Sequence, residues 1–136
     1  MKMDSERLII EIDKMHHLAN EALRQKRFDI YINCFTDNLS YKQMNGKVID
    51  KKELSKNIAF YFNRLKTSKS QYERMNYSID GNRITENLIQ KATASIRIFI
   101  FFTKTWTVDR EGIYEWVKMD EDWKIEKVEI LNEKIY

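Results

Sequence analysis

The spacing of the apolar residues changes once along the chain, from a helical repeat to alternation, at about residue 70. Before that point apolar residues recur every three or four positions, which is typical of amphipathic helices. After it they alternate with polar residues, and short polar turns separate the runs. Turns this short leave no room for crossover helices, so the strands are expected to pair as an antiparallel meander. The pattern predicts an α+β fold in which the helices come first.

Three helices are predicted in the first half of the chain. The first covers residues 5–24, where the apolar side chains form one long stripe. The second covers two turns at 28–35, and the third continues from Asp50 to about residue 65. Asp50 can accept a hydrogen bond from the backbone amide of Glu53 while the Glu53 side chain reaches back, so the third helix begins with a capping box.

The strands are predicted at residues 39–44, 72–79, 84–107, 113–119 and 123–131. The turn signals between them are Asn45-Gly46, Asp80-Gly81-Asn82, Asp109-Arg110-Glu111-Gly112 and Asp120-Glu121-Asp122. Asn-Gly favours the tight turn of a β-hairpin, and the other three combine glycine or Asp/Asn in the manner of loops. The last four strands are therefore expected to pair in chain order.

The longest predicted strand is apolar on both of its faces. Ile96, Ile98, Ile100 and Phe102 share one side, and Phe99 and Phe101 share the other. One face can cover the helices, but the second would leave a large apolar patch in water. We expect a second copy of the chain to cover that patch, which predicts a homodimer through the outer face of the sheet. Coverage by the chain's own C-terminal segment is the alternative.

Composition narrows the class of protein. Hydrophobic residues make up 43% of the 136 residues, which argues against disorder, and we expect one domain over residues 1–136. The net charge of +3 comes from intermixed signs, so no nucleic-acid partner is expected. The single cysteine, Cys34, and the lack of a long apolar run predict a cytoplasmic protein without a membrane partner.

Three segments carry a resemblance to a known superfamily: Phe35-Thr36-Asp37-Asn38, the loop from Gly46 to the capped helix at Asp50, and Lys118–Ile125 with its acidic turn before Trp123. Their order along the chain resembles the nuclear transport factor 2-like superfamily, which includes the ketosteroid isomerases and the SnoaL-like polyketide cyclases. The resemblance implies a cone-shaped, curved antiparallel sheet wrapped around N-terminal helices, a cystatin-like α+β roll. It also implies a pocket between the sheet and the helices, and frequent homodimers.

Of the three catalytic groups of the ketosteroid isomerases, this chain keeps only one at the aligned positions. Aligned without gaps from Phe35, the catalytic base falls at Gln43, the helix tyrosine at Ala19 and the protonated acid at Glu115. An amide cannot abstract a proton from carbon at neutral pH, and alanine has no hydroxyl to donate. Glu115 alone keeps its carboxyl group, either as an acid or base or in an ion pair with a basic residue such as Arg97.

The resemblance and the alternation of the strands predict a set of pocket residues. Tyr31, Tyr41, Gln43, Ile113 and Glu115 are expected to line it, with Glu115 as the candidate catalytic residue. His16 flanks the apolar stripe of the first helix and could lie at the pocket rim. No metal or other cofactor is expected, because His16 and His17 are adjacent and so do not share a helix face. Cys34 is expected to be a core residue.

Three functions are compatible with these features. The first is a pocket-forming dimeric domain that binds a small, partly apolar molecule without catalysis. The second is an enzyme of the cyclase, isomerase or dehydratase type that uses Glu115 as acid or base. The third is an interaction module whose interior is filled by side chains. The first function requires a cavity of a few hundred cubic ångströms. The second also requires Glu115 to be exposed to that cavity, with a second polar group such as Tyr41 or Gln43 within hydrogen-bond reach. A solid interior would leave the third.

Overall fold

The computed structural model describes residues 2–99 and 102–136. Helices and strands follow in the order α1 (Lys2–Arg24), α2 (Phe28–Ile32), β1 (Phe35–Lys42), β2 (Val48–Ile49), α3 (Lys51–Arg64), β3 (Leu65–Asp80), β4 (Arg83–Phe99), β5 (Phe102–Met119) and β6 (Asp122–Ile135). The α+β fold with its helices first, predicted from the change in apolar spacing, is confirmed. No helix in the described residues is long and apolar enough to cross a membrane.

One curved, open sheet contains all six strands in the order β2-β1-β6-β5-β4-β3. Strands β3 to β6 pair as the expected antiparallel meander, and β1 joins this meander by pairing in parallel with β6. Alternate residues of the long strands are buried on the concave face, beneath the helices; in β4 these are Ile84, Glu86 and Leu88, and in β5 Gly112, Tyr114 and Trp116. The concave face therefore supplies both the core and the wall of any interior pocket.

The helices begin and end close to the predicted bounds. Asp50 accepts a hydrogen bond from the Glu53 amide at 2.9 Å, as expected for the start of α3. The Glu53 side chain, however, pairs with Lys47 instead of reaching back. The predicted second helix is shorter than expected, because Phe35 leaves it to begin β1, where it pairs with Ile125 of β6. A buried position in the sheet thus overrides the helical spacing at Phe35.

The predicted strand 84–107 and the turn at Asp109–Gly112 are wrong. The chain reverses between Phe99 and Phe102, so residues 84–107 belong to two strands, and residues 109–112 lie inside β5. Gly112 faces the concave side, where a Cβ atom would come within 3.2 Å of the Tyr114 ring and 3.3 Å of the Glu129 carbonyl oxygen. This glycine permits close packing within a strand and does not mark a turn.

Candidate functional site

A pocket lies between α1 and the concave face of the sheet. Its volume is about 140 Å³, and its lining combines aromatic, aliphatic and polar residues: His16, Ala19, Asn20, Leu23, Tyr31, Phe35, Tyr41, Ser70, Gln71, Tyr72, Gln90, Lys91, Ala92, Val108, Arg110, Tyr114 and Ile125. A cavity of roughly 150 Å³ is large enough to hold benzene. The pocket is thus smaller than the expected few hundred cubic ångströms, and by itself it can enclose a single small ring.

A more open groove adjoins this pocket at the edge of the sheet. Its volume is about 590 Å³, and it is lined by Tyr41, Gln43, Met44, Asn45, Arg110, Ile130, Glu133 and Ile135. Tyr41 and Arg110 line both spaces, so they form the boundary between them. A ligand larger than one ring could extend from the pocket past these two side chains into the groove.

His16, which lines the pocket, forms a hydrogen-bonded pair with a buried carboxylate outside the lining. His16 on α1 places Nε2 2.6 Å from Oε2 of Glu86 on β4, and the Glu86 side chain has no exposed surface. The same carboxylate oxygen accepts a 2.6 Å hydrogen bond from the indole Nε1–H of Trp116, and the other oxygen accepts one of 2.8 Å from Nε of Arg74. Both carboxylate oxygens of Glu86 are thus satisfied by hydrogen-bond donors.

Arg74 extends this pair into a network that ends at Asp13, a partly exposed residue of α1. Its Nη2 donates to Oδ1 of Asp13 at 2.8 Å, and the Tyr72 hydroxyl donates to the same oxygen at 2.6 Å. The Asp13 side chain is partly exposed, whereas Arg74 is nearly buried. The network therefore ties α1 to β3 and β4 through alternating charges, and it fixes the helix over the pocket.

The environment of Glu86 decides how the His16 ring is protonated. Burial opposes ionisation of Glu86, but the hydrogen bonds from His16, Trp116 and Arg74 outweigh it and hold the pKa below its ordinary value of 4.5. An ionised carboxylate can only accept, so Nε2 of His16 must carry the shared proton. In the neutral ring Nδ1 is then the basic nitrogen, and it makes no hydrogen bond with a described residue.

A second polar cluster lies at the boundary between pocket and groove. Nε and Nη2 of Arg110 lie 2.7 and 2.6 Å from Oε2 of Glu133 on β6. The Tyr114 hydroxyl donates to Oε1 of Gln90 at 2.7 Å. Burial raises the pKa of Tyr41, and the charge of Arg110 only partly offsets this, so the phenol keeps its proton at neutral pH.

The structure brings together three of the five predicted pocket residues. Tyr31 and Tyr41 line the pocket, and Tyr41 and Gln43 line the groove. His16, predicted as a possible rim residue, lines the pocket as well. No comparison tests whether any of these residues contacts a ligand, so that part stays a prediction.

The predicted inward orientation of Glu115 and Ile113 is wrong. Their neighbours in β5, Tyr114 and Trp116, occupy the concave face, and alternation places Glu115 and Ile113 on the convex face. The Glu115 carboxylate lies 3.6 Å from Arg83 and does not line the pocket. An ion pair was the alternative for Glu115, but its partner is Arg83 in place of Arg97.

The remaining candidates behave as core or surface residues. Cys34 is buried, its thiol donates to the Ile30 carbonyl, and burial raises its pKa to about 11. His17 is exposed, one residue along α1 from His16. Among the described residues no three His, Cys, Asp or Glu side chains gather as metal ligands would.

Sequence comparisons find no matching family model and no curated relative. Solved structures with this fold are numerous. They include a candidate scytalone dehydratase from Novosphingobium aromaticivorans, with a TM-score of 0.85 and 11% identity over 100% of this chain and 92% of that one. They also include a candidate dehydratase of the nuclear transport factor 2-like family from Streptomyces avermitilis, with a TM-score of 0.71 and 8% identity over 90% of this chain and 94% of that one.

A third similar structure is a type 2 hexachlorocyclohexane dehydrochlorinase, with a TM-score of 0.73 and 7% identity over 100% of this chain and 93% of that one. At such identities the likeness concerns the fold alone. The chain has the nuclear transport factor 2-like fold, and the resemblance based on the three sequence segments is confirmed at that level. The cone-shaped sheet around the N-terminal helices is confirmed with it.

Proposed function

We propose that the protein binds a small, partly apolar molecule in the pocket between α1 and the concave face of the sheet. The observation that carries the proposal is the pocket itself, in which aromatic walls surround a few polar groups, as is typical of ligand sites. Its presence disfavours the alternative in which side chains fill the interior. The similar solved structures include candidate dehydratases and a dehydrochlorinase, whose names imply small-molecule substrates.

Filling the pocket tests this proposal. Ala19 lies on α1 in the pocket lining, so Ala19→Trp would place an indole ring in the space that the ligand needs. Toluene serves as the probe, and NMR shifts of the pocket residues report its binding. We expect the variant to weaken toluene binding at least about tenfold, which corresponds to 1.4 kcal/mol.

The matched control is His17→Trp, which adds an indole ring to the same helix at an exposed position. This variant should bind toluene as the wild type does. Equal binding by the Ala19→Trp protein, or no shift of any pocket residue in the wild type at millimolar toluene, would count against the proposal.

A second candidate function is acid–base catalysis of the dehydratase or isomerase type. The His16–Glu86 pair favours it, because a buried carboxylate that orients a histidine ring leaves the other ring nitrogen available as a general base. In this version His16 takes the role that the sequence suggested for Glu115. His16→Gln should then abolish turnover of any substrate, whereas Glu115→Gln should leave it unchanged.

We also propose that the chain forms a homodimer, as the sequence suggests, but with the end of the β4–β5 hairpin in the interface. Ile98, Phe99 and Phe102 are at least half exposed there, and the Phe99 and Phe102 rings contact each other edge to face. Phe101, named with Phe99 in the sequence prediction, lies outside the described residues. A second copy that covers these side chains would remove an apolar patch from water.

Light scattering after size-exclusion chromatography tests the dimer. Phe99→Glu is expected to convert it to a monomer, because a carboxylate would be buried in the interface without a partner. Val48→Glu is the matched control, since Val48 is also more than half exposed and lies on β2, an edge strand four places from β4 in the sheet. A dimer that survives Phe99→Glu would place the interface elsewhere.

Two further sequence-based statements stay predictions. One is a single domain over residues 1–136, and the other is a cytoplasmic location. The location is supported by Cys34, a buried thiol whose hydrogen bond to Ile30 needs the reduced form.

A further inference from the structure

Arg110 lines the pocket and has hydrogen-bond donors that no described residue uses. A guanidinium carries five N–H groups, and only Nε and Nη2 approach Glu133, both at the same oxygen atom, Oε2. Nη1 makes no hydrogen bond with a described residue, although Arg110 lines both the pocket and the groove. The ion pair with Glu133 thus leaves one edge of the guanidinium open to a ligand.

Two of the four tyrosines that line the pocket also have hydroxyl groups that form no hydrogen bond with a described residue. Tyr72 donates to Asp13 and Tyr114 donates to Gln90. The hydroxyl groups of Tyr31 and Tyr41 make no hydrogen bond with a described residue, and neither is among the buried atoms that lack a partner. They therefore contact the pocket or groove. Burial raises the pKa of both phenols, so both remain donors at neutral pH.

The groups at this end of the pocket that still have hydrogen atoms to donate are the Arg110 guanidinium and the Tyr31 and Tyr41 hydroxyls. Glu86 does not line the pocket, and Glu133 lines only the groove; each of these two carboxylates has an arginine partner. The amide oxygen of Gln90 is already used by Tyr114. A ligand atom placed here meets a guanidinium and two phenol hydroxyls, and an oxygen that bears negative charge is the acceptor that satisfies them best.

We infer that the ligand carries an anionic oxygen, of a carboxylate or of an ionised phenol or enol, which Arg110 binds through Nη1 together with the Tyr31 and Tyr41 hydroxyls. The apolar ring of such a molecule occupies the pocket between α1 and the sheet. This inference rests on the proposed function and adds the class of ligand. The charge of Glu133 competes with the ligand for the positive charge of Arg110, although it does not occupy Nη1, and this allows a test whose two variants change affinity in opposite directions.

The test uses four one-ring probes: benzoate, 4-nitrophenolate, benzamide and toluene. Benzoate and 4-nitrophenolate distinguish the two sources of an anionic oxygen, benzamide replaces the anion by a neutral carbonyl, and toluene has no oxygen. Affinities come from NMR titration of the full chain. In the wild type one of the two anions should bind about tenfold tighter than benzamide, since hydrogen bonds to charged groups are the stronger ones.

Glu133→Gln should tighten binding of that anion severalfold, because Arg110 loses its competing carboxylate. The double variant Arg110→Gln/Glu133→Gln removes both charges and leaves no unpaired carboxylate, and it should weaken anion binding by about 10- to 100-fold. Toluene affinity should stay the same in both variants. Tyr41→Phe gives a second test that keeps the ion pair. It should weaken binding of the anion severalfold and leave binding of toluene unchanged. Tyr77→Phe, at an exposed position, is its control.

The outcomes distinguish a failure of this inference from a failure of the proposed function. If toluene binds but the wild type does not prefer either anion to benzamide, or if the double variant and Tyr41→Phe bind the anion as the wild type does, the inference is wrong while the proposed function stands. If no probe binds, toluene included, the proposed function fails and the inference fails with it. Opposite effects of Glu133→Gln and the double variant on the anion alone would support the inference.

Discussion

Glu86→Ala is expected to lower the free energy of unfolding by about 3–5 kcal/mol at neutral pH, the range found when one partner of a buried ion pair is removed. The Glu86 side chain has no exposed surface, and it accepts hydrogen bonds from His16, Arg74 and Trp116. Without it, the Arg74 charge and the indole N–H would stay buried with fewer acceptors. Urea denaturation followed by circular dichroism measures the change.

Glu115→Ala is the matched control. Glu115 lies on the neighbouring strand β5, but its side chain is 30% exposed on the convex face, and its partner Arg83 is more exposed still. Pairs of this kind contribute about 1 kcal/mol or less. Equal losses from the two substitutions would mean that the His16–Glu86 network does not hold the fold together as described.

The second large effect is the loss, in acid, of the stabilisation that Glu86 contributes. The folded pKa of Glu86 lies below its ordinary 4.5, so the unfolded chain takes up the proton first as the pH falls. The stabilisation is complete above pH 4.5 and disappears as the pH falls through the folded pKa. Glu86→Gln carries no such proton, so the wild type should exceed it in stability at neutral pH, and the gap should close in acid.

The other charged groups of the network do not change this expectation. Asp13 also has a lowered pKa, since hydrogen bonds from Arg74 and Tyr72 outweigh its burial, but it is present in both proteins. Arg74 stays charged throughout, and a charged His16 would favour ionised Glu86 still more. Urea denaturation at a series of pH values measures the gap. A gap that is constant from neutral pH down to acid would show that the folded and unfolded pKa values of Glu86 are equal, and a gap that moves in favour of the wild type in acid would show that Glu86 is protonated in the folded protein.

Much of the fold was predictable because the apolar spacing records which residues are buried. The long stripe of α1, the Asp50 cap and the turns at Gly46 and Gly81 all appear where local patterns place them. Both glycines have positive φ angles, 88° and 60°, which explains why the turn signals were reliable. The order of the last strands follows from the short connections between them.

The reversal between β4 and β5 could not be read from local patterns. Residues 96–102 are apolar apart from Arg97, without a glycine or an Asp/Asn pair to indicate a turn, whereas Asp109–Gly112 has the composition of a loop. Pairing along the whole length of β4 and β6 keeps residues 109–112 extended within the sheet. Tertiary pairing therefore overrides a local turn signal there.

The candidate site was predictable only in part. Tyr31 was predicted as an aromatic pocket residue and Tyr41 from the alternation along its strand. In β5, however, the predicted alignment was off by one residue, which exchanges the faces of Glu115 and Trp116. The His16–Glu86 pair joins residues 70 positions apart, which no local motif reveals. One signal was present: Glu86 takes the middle place of the alternating set Ile84, Glu86, Leu88, which points a carboxylate at the core.

Buried, ionised Glu86 holds the His16 ring with Nε2 protonated, which leaves Nδ1 of this pocket-lining ring free to respond to a ligand. Nitrogen-15 NMR of the His16 side chain tests it directly, at a pH where the ring is neutral. We expect the Nε2–H form, with a slowly exchanging proton, and a shift of the Nδ1 resonance when a pocket probe is added. An Nδ1–H ring, or an Nδ1 signal indifferent to every probe that binds, would contradict it.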